Sequence, residues 1–193
     1  MEKSPKEKHI AELKASGLND QTISLSGIYS ATAEEVVQLG FKLNSTAMVI
    51  PYGDGCVRLK PDSPRIDKEG RSIKYETLVG TPARIYFPPN LNNEVFQNTA
   101  IPLVITEGEK KALKAVQEGI PTISIPGVWT FRIKDTMQLI PDFEKINFEN
   151  RTIYITFDSD VSDNQNMQQA EWMLGRLLMD RKKANVKIVR IPK

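Results

Sequence analysis

The chain has 193 residues, of which 40% are hydrophobic and 26% are charged. These are ordinary values for a globular protein, and they argue against a long disordered tail, a collagen-like chain and a coiled coil. No apolar run reaches the roughly 18 residues that a membrane-spanning helix needs, and the charged N-terminus lacks the apolar core of a secretory signal. We therefore expect a cytoplasmic protein of one domain or two small ones, with no membrane partner.

Residue counts also limit the chemistry of the chain. The single cysteine, Cys56, excludes an internal disulfide and a cysteine-ligated zinc site. The single histidine, His9, argues against a Ser-His-Asp triad and against a histidine-ligated metal. Neither residue has a partner in the sequence, so neither is assigned chemistry. A bound metal would have to be held by carboxylates, and the net charge of +2 does not by itself indicate nucleic acid.

The first forty residues predict a helical lead-in. The apolar spacing predicts short helices over residues 6–16, 19–27 and 32–39. The third begins with Thr32 followed three residues later by Glu35, which is the pattern of a capping box. In that motif each residue binds the backbone amide of the other, so the pattern also predicts where the helix begins.

Residues 41–89 predict a small antiparallel subdomain rich in turns. Three short β-type runs, at residues 48–50, 56–59 and 84–87, are separated by turns that contain glycine or proline. Basic residues alternate here with tyrosines, as in surfaces on which nucleobases stack while cations contact the phosphates. A sheet with one solvated face produces the same alternation, so both interpretations stay open. The basic residues assigned to a nucleic-acid-binding surface are Arg58, Lys60, Arg65, Lys74 and Arg84.

After the turn-rich residues 88–93 the pattern changes to alternating strands and helices. Such alternation is typical of a mostly parallel sheet with helices on both faces. We expect two domains, a helical lead-in with the basic subdomain over residues 1–92 and an α/β domain over residues 100–193. The predicted strands of the second domain are residues 102–106, 122–125, 152–157 and 186–191, and the predicted helices are residues 108–118, 134–140 and 166–183.

Acidic residues follow two of the predicted parallel strands. Glu107 directly follows the strand at residues 102–106, and Asp158 and Asp160 follow the strand at residues 152–157. Ligands bind at the carboxyl ends of the strands in open α/β sheets. Three carboxylates there predict an oxygen-only site for Mg²⁺ or Mn²⁺, completed by water and substrate phosphates. The alternative is that the glutamate belongs to an acidic first helical turn and the aspartates cap a turn.

These strand-end motifs resemble the Toprim domain of bacterial-type primases, topoisomerases and related nucleases. The resemblance rests on VITEG at residues 104–108 and FDSD at residues 157–160. It implies that Glu107 acts as general acid/base and that Asp158 and Asp160 hold Mg²⁺. The implied fold class is α/β, with a Toprim-like, mostly parallel four-stranded sheet and flanking helices after a small α+β basic subdomain.

The upstream region is similar to the N-terminal half of primase catalytic cores, where a basic β subdomain guides the single-stranded template. MVIPY at residues 48–52, VRLK at residues 57–60 and IYFP at residues 85–88 carry this similarity. The whole chain also resembles Toprim-like domains of plasmid and phage replication proteins, which are often fused to a helicase. TEGEKKA at residues 106–112 and PGVW at residues 126–129 carry that resemblance.

One position departs from the primase pattern. Primases usually have an aspartate four residues after the glutamate, where it helps to hold metal, and this chain has Lys111 there, next to Lys110. A lysine removes a ligand and adds positive charge beside the cation site. Lys110 and Lys111 could instead contact the triphosphate of an incoming nucleotide as point charges. The zinc ribbon with which full-length bacterial primases recognise template is also missing from these residues.

The expected function is that of a Mg²⁺-dependent, primase-type nucleotidyltransferase core. It would act on single-stranded DNA and nucleoside triphosphates in plasmid, phage or mobile-element replication. A replicative helicase, fused or separate, is a further expected partner. One alternative is a non-catalytic nucleic-acid-binding module of such a helicase, which would bind without using the carboxylates. The other is a Toprim nuclease, which would add water instead of a nucleotide.

Overall fold

A computed structural model describes residues 3–191, apart from the side chains of Asp160 and Ser162. The chain divides into two compact units, Met1–Pro82 and Ala83–Lys193. Each unit has an apolar core of its own. Within the described residues, no helix combines the length and the apolar character needed to cross a membrane.

In its described residues, 3–82, the first unit has three short helices and two small antiparallel sheets. Its helices are α1 (Glu7–Ala15), α2 (Asp20–Leu25) and α3 (Ala33–Gln38), and its strands are β1 (Tyr29–Ala31), β2 (Ala47–Gly53), β3 (Cys56–Pro61), β4 (Arg65–Ile66), β5 (Ser72–Ile73) and β6 (Glu76–Thr77). The main sheet has the order β1-β2-β3-β6, and β4 and β5 form a separate two-stranded ribbon. Buried residues of β1, α3, β2 and β3 form one apolar core.

Local sequence sets the start of helix α3. Thr32 Oγ1 accepts a hydrogen bond from the Glu35 amide at 3.2 Å, and the Glu35 carboxylate accepts one from the Thr32 amide at 2.9 Å. These two contacts satisfy amide groups at the start of the helix that have no partner within it. The predicted capping box is confirmed, and it orients the fully buried Val36 toward the core.

A hydrogen-bonded cluster around His9 ties α1 to the rest of the first unit. His9 is buried, with Nδ1 2.7 Å from Ser30 Oγ and Nε2 2.9 Å from Asp62 Oδ1. Ser30 Oγ also accepts a hydrogen bond from the Lys6 amide at 2.7 Å, directly before α1 begins. These contacts anchor the N-terminal helix. The prediction that His9 has no partner is wrong, because its partners lie 21 and 53 residues away in the sequence.

Asp62 collects several donors at the end of β3. Its carboxylate accepts hydrogen bonds from Thr46 Oγ1 at 2.5 Å and from His9, and the Lys8 ammonium lies 3.1 Å away. Burial by itself favours the neutral carboxyl, but these donors outweigh it and lower the pKa of Asp62 to about 2. Folding therefore stabilises the ionised form of this carboxyl group.

The second unit is a parallel α/β sheet with helices beside it. Its helices are α4 (Glu94–Gln97), α5 (Glu109–Gln117) and α6 (Gln165–Lys182), its strands are β7 (Leu103–Glu107), β8 (Thr122–Ile125), β9 (Thr152–Thr156) and β10 (Asn185–Ile188), and 3₁₀ helices cover Pro141–Lys145 and Ser159–Asp163. The strand order is β10-β9-β7-β8, and all three neighbouring pairs are parallel. The predicted fold class, a four-stranded parallel sheet with flanking helices after a small antiparallel subdomain, is confirmed.

Helix α6 packs on one face of the parallel sheet. Ile105 of β7 pairs with Ile155 of β9, and both side chains are fully buried. Gly175 of α6 lies against this layer, and a Cβ atom there would make ordinary van der Waals contacts, at 3.4 Å with Val186 Cγ1 and at 3.6 Å with Ile155 Cδ1. The apolar layer thus holds the register of β7 against β9.

Two predicted elements of the second unit are wrong. Residues 134–140, all described, form a turn closed by a bridge between Arg132 and Leu139 instead of a helix. The apolar spacing misled the prediction because Ile140 reaches the core from irregular chain. The strand predicted over residues 84–87 is a single antiparallel bridge of Tyr86 to Ser124 of β8.

The C-terminal segment differs from the prediction in one detail. The last strand, predicted over residues 186–191, ends at Ile188, although the Val189 amide still donates to the Ile155 carbonyl at 2.9 Å. Trp172 of α6 is 56% exposed, with the Arg176 guanidinium 5.3 Å from the centre of its ring. The cation–π contact covers part of the indole that the core does not.

The predicted domain ranges, residues 1–92 and 100–193, stay a prediction. In the sequence, the boundary between the two compact units lies between Pro82 and Ala83. A compact unit of a structure is a domain only if it also folds by itself, which is a property of the separated fragments in solution.

The low pKa of Asp62 predicts an acid-sensitive contribution to stability. The ordinary pKa of the group is 3.8 and the folded value is about 2. The stabilisation is therefore present above about pH 4 and is lost as the pH falls toward 2. We expect Asp62→Asn to lower the free energy of unfolding by about 1–2 kcal/mol at pH 7, since the carboxylate is partly solvated.

Urea unfolding of the wild type and of Asp62→Asn between pH 2 and pH 7 measures this contribution. The difference between the free energies of unfolding of the two proteins should decrease steadily below pH 4. A difference that stays constant down to pH 2 would contradict the role given to the ionised carboxylate.

Candidate functional site

The candidate site lies at the carboxyl ends of β7 and β9. Glu107 is the last residue of β7, and Asp158 lies two residues beyond the end of β9. Thr106 pairs with Thr156 across these two parallel strands, so the residues that follow leave the sheet at the same edge. We call Glu107, Lys110, Lys111 and Asp158 the strand-end site.

Gly108 makes the abrupt change from β7 to α5 possible. Its φ of 94° and ψ of 135° form a conformation that other residues rarely adopt. The Gly108 amide donates to the Ile125 carbonyl at the end of β8, at 3.2 Å. A Cβ atom would meet nothing within 4 Å, so the backbone conformation alone requires glycine. Helix α5 begins directly after this glycine, so Lys110 and Lys111 lie on the first turn of the helix that follows Glu107.

The Lys111 ammonium forms an ion pair with Asp158 Oδ1. Asp158 precedes a 3₁₀ helix, yet its side chain makes no capping hydrogen bond with that helix. Both side chains are about half exposed, at 50% for Lys111 and 43% for Asp158. The carboxylate predicted to hold a metal ion thus holds a cationic group of the chain itself.

The described side chains do not fit a divalent cation as they are arranged. Among them, which leaves out the side chain of Asp160, no three His, Cys, Asp or Glu residues are grouped so that they could hold a metal ion. The Asp160 ligand predicted from sequence lies outside the described side chains, and only its backbone in the 3₁₀ helix is described. The predicted Mg²⁺ or Mn²⁺ site therefore stays a prediction.

A polar row, buried at Ser124 and Thr106 and partly exposed at Thr156, crosses the sheet beside the strand-end site and was not predicted from the sequence. Ser124, Thr106 and Thr156 share one register position on β8, β7 and β9, and Tyr86 pairs with Ser124. Burial and, to a lesser degree, the charge of Glu109 raise the pKa of Tyr86. Glu109 is itself only 1% exposed at the start of α5. Alternation of polar and apolar residues in the strands is the signal that could have revealed this row.

Two of the predicted nucleic-acid-binding residues are bound to acidic side chains of the first unit. Lys60 pairs with Glu12 at 2.5 Å. Arg65 donates two hydrogen bonds to Glu76, at 2.7 and 2.6 Å, in the parallel arrangement that suits a guanidinium and a carboxylate. Their positive charges are already neutralised by neighbours, which lowers their expected contribution to phosphate binding.

Arg58 and Lys74 differ from these two residues. The Arg58 guanidinium lies 4.6 Å from the centre of the Tyr75 ring, which is a cation–π distance. Lys74 has no hydrogen bond or ion pair within the part of the chain that is described. Of the predicted set, Lys74 is therefore the residue whose charge is most accessible to a nucleic acid.

Arg84, the fifth residue of the set, belongs to the second unit and to a buried ion pair. Its Nε donates to Asp142 Oδ2 at 2.8 Å, the Ile85 amide donates to the same oxygen at 2.9 Å, and Lys145 lies 3.0 Å from the other. Burial favours the neutral Asp142 carboxyl, but these donors outweigh it and lower its pKa. Removing Arg84 would take one donor from the buried Asp142 carboxylate, which favours a structural role for Arg84, and its role in binding nucleic acid stays a prediction.

The backbone at Gly108 predicts a specific cost of substitution. We expect Gly108→Ala to lower the free energy of unfolding by about 2 kcal/mol, because alanine must adopt a conformation that favours glycine. Gly127→Ala is the matched control: its Cβ would meet Thr130 Cγ2 at an ordinary 3.5 Å, and no left-handed φ is required. Chemical denaturation measures both, and equal effects of the two variants would contradict the explanation.

Two solved structures with a fold similar to that of this chain are primase structures. The zinc-binding and RNA polymerase domains of the Aquifex aeolicus primase align with 97% of the chain, with a TM-score of 0.64 and 15% identity. A structure of the DnaG catalytic core aligns with 97% of the chain, with a TM-score of 0.56 and 15% identity. The chain spans 50% of the first protein and 65% of the second. At this identity the likeness shows a shared fold.

No curated protein matches the chain. The model of a family described as a domain of unknown function, DUF3854, matches residues 92–193. This segment is more than half of the chain, and it contains the whole parallel sheet and the strand-end site. The chain therefore belongs to the DUF3854 family.

Proposed function

We propose that the chain is the core of a primase-type, Toprim-like nucleotidyltransferase. It would act on single-stranded DNA with nucleoside triphosphates, in the cytoplasm, during plasmid, phage or mobile-element replication. A replicative helicase is the proposed protein partner. The reaction would take place at the strand-end site.

The observation that carries this proposal is the fold likeness to primases over 97% of the chain, which includes residues of both units. The position of Glu107 and Asp158 supports it further. Both follow adjacent parallel strands, and ligands of such sheets bind at the carboxyl ends of the strands. The likeness concerns the fold alone, so the activity itself is the part that an experiment must establish.

Within this proposal the residues of the strand-end site have separate roles. Glu107 would orient the attacking hydroxyl group and accept its proton. Lys110 and Lys111 would contact the triphosphate, since two cationic side chains on the first turn of a helix attract phosphate oxygens. Phosphoryl transfer depends mainly on such positioning and charge neutralisation. A divalent cation would add to the neutralisation, but the described side chains do not form its site.

The ion pair of Lys111 with Asp158 favours a second candidate, a non-catalytic nucleic-acid-binding module of a replicative helicase. A carboxylate that is occupied by a lysine is not free to hold the cation of a transfer reaction. Two lysines at a helix start can bind phosphate without any chemistry. The two candidates differ in whether the carboxylates are needed for the function.

Primer synthesis on single-stranded DNA tests the proposed enzyme. We expect the chain, supplied with ribo- or deoxynucleoside triphosphates and Mg²⁺ or Mn²⁺, to synthesise short oligonucleotides. Their formation should require a single-stranded DNA template. Glu107→Gln and Asp158→Asn should each lower the rate by about a hundredfold or more, as loss of a general base or of a site charge does. Asp180→Asn is the matched control, since Asp180 is an exposed carboxylate paired with Arg176 on α6.

The other outcomes of this assay separate the alternatives. Shortening of the DNA without added nucleotides, lost in Asp158→Asn, would indicate a nuclease. Binding of single-stranded DNA without product, unchanged in Asp158→Asn, would indicate a non-catalytic module. Either result would contradict primer synthesis as the function.

The accessible charge of Lys74 predicts a change in the salt dependence of DNA binding. If Lys74 contacts a phosphate, Lys74→Gln should reduce the slope of log affinity against log salt concentration by about 0.7, the value for one contact to a single strand. Arg65→Gln should change the slope less, because Arg65 is bound to Glu76. Fluorescence anisotropy with labelled oligonucleotides measures the slopes, and an unchanged slope in Lys74→Gln would exclude this contact.

A further inference from the structure

We propose that Lys111 is a tethered cation that occupies the Asp158 carboxylate and excludes divalent metal ions from the strand-end site. The proposal rests on the proposed function in one respect, because it concerns which cation that same site holds. Under this proposal, Lys111 determines how strongly the strand-end site binds a divalent metal ion. As long as the ammonium remains on Asp158, the site binds a divalent ion weakly, and the strength of metal binding is set by this side chain.

The geometry of Asp158 is the first support. Asp158 directly precedes a 3₁₀ helix, but its side chain makes no hydrogen bond to the amide groups at the start of that helix. Its carboxylate is paired instead with Lys111, which is 47 residues earlier in the sequence. Within the described residues, Lys111 is the side chain that is paired with this carboxylate. The contact joins the start of α5 to the end of β9.

A second lysine of α5 forms an ion pair within the helix itself, and it serves as a comparison for Lys111. Lys114 pairs with Glu118, one turn further along the same helix. Such pairs contribute little and require no tertiary structure. Lys111 has Glu107 four residues before it, yet its ion pair is with Asp158 across the sheet edge. The long-range partner is what gives Lys111 a part in the strand-end site.

Charge explains why the ammonium and a divalent ion compete. A cation bound to Asp158 would lie within several ångströms of the Lys111 ammonium, and like charges at that distance repel each other even in water. The ion would also have to displace the existing ion pair before it could bind the carboxylate oxygen. Replacing the lysine by a neutral side chain removes both obstacles. We expect metal affinity to rise roughly tenfold as a result.

Titration of the full chain with Mn²⁺, with free Mn²⁺ followed by electron paramagnetic resonance, tests the proposal. Lys111→Gln should bind Mn²⁺ roughly tenfold more tightly than the wild type. Lys111→Arg keeps the positive charge and should bind as weakly as the wild type. Lys114→Gln removes one charge from the same helix away from the site, and it should stay within about twofold of the wild type. Thermal unfolding of each variant shows whether it is folded.

A double variant locates the gained binding. Lys111→Gln combined with Asp158→Asn should lose the affinity that Lys111→Gln gains, because the carboxylate that was uncovered is then absent. Equal Mn²⁺ affinity of Lys111→Gln and the wild type would overturn the proposal. So would an equal gain in Lys114→Gln, or a gain that survives Asp158→Asn, or no binding by any folded variant at millimolar Mn²⁺.

The proposed function and the proposed competition between Lys111 and a divalent ion can each fail without the other. If wild-type protein makes no primer but Lys111→Gln gains Mn²⁺ affinity through Asp158, the function is contradicted and the competition stands. If the wild type makes primer and Lys111→Gln gains no affinity, the function stands and the competition is contradicted. Primer synthesis and metal affinity are therefore independent measurements on one set of proteins.

Discussion

The parallel pairing of β7 with β9 is the contact on which the candidate site depends. These strands are distant in the sequence, and their register, with Thr106 opposite Thr156, brings Glu107 and the residues around Asp158 to one edge. Buried Ile105 and Ile155 hold that register. A slip of one residue would move the apolar side chains to the other face of the sheet and separate the polar groups of the site.

Charge at the strand ends is balanced within the chain itself. The sequence predicts three carboxylates close together, an arrangement whose mutual repulsion a bound cation would relieve. In the structure, Lys111 pairs with Asp158, and Glu109 is buried near the hydroxyl of Tyr86. Lys111 thus supplies at Asp158 the positive charge that a bound cation is predicted to supply.

The first unit shows the same tendency of charged groups to pair within the chain. The alternation of basic and aromatic residues is compatible with nucleic-acid binding, and it is equally the pattern of a sheet with a solvated face. Lys60 and Arg65 are bound to glutamates, Arg58 lies over Tyr75, and Lys74 is left accessible. Sequence pattern alone cannot distinguish a cation that is exposed for a ligand from one that is already paired.

Local sequence by itself determined most of the elements and the fold class. The capping box at Thr32 and the helix predicted over residues 166–183 depend on residues that are close together in the sequence, and both are present. The helix predicted over residues 134–140 was wrong because apolar spacing also occurs in irregular chain that packs on a core. Only the tertiary structure decided the partners of His9, Asp158 and Arg84, which are 21 to 58 residues away. The reason is physical: short-range forces set where helices and strands form, whereas the packing of distant strands decides which charges meet.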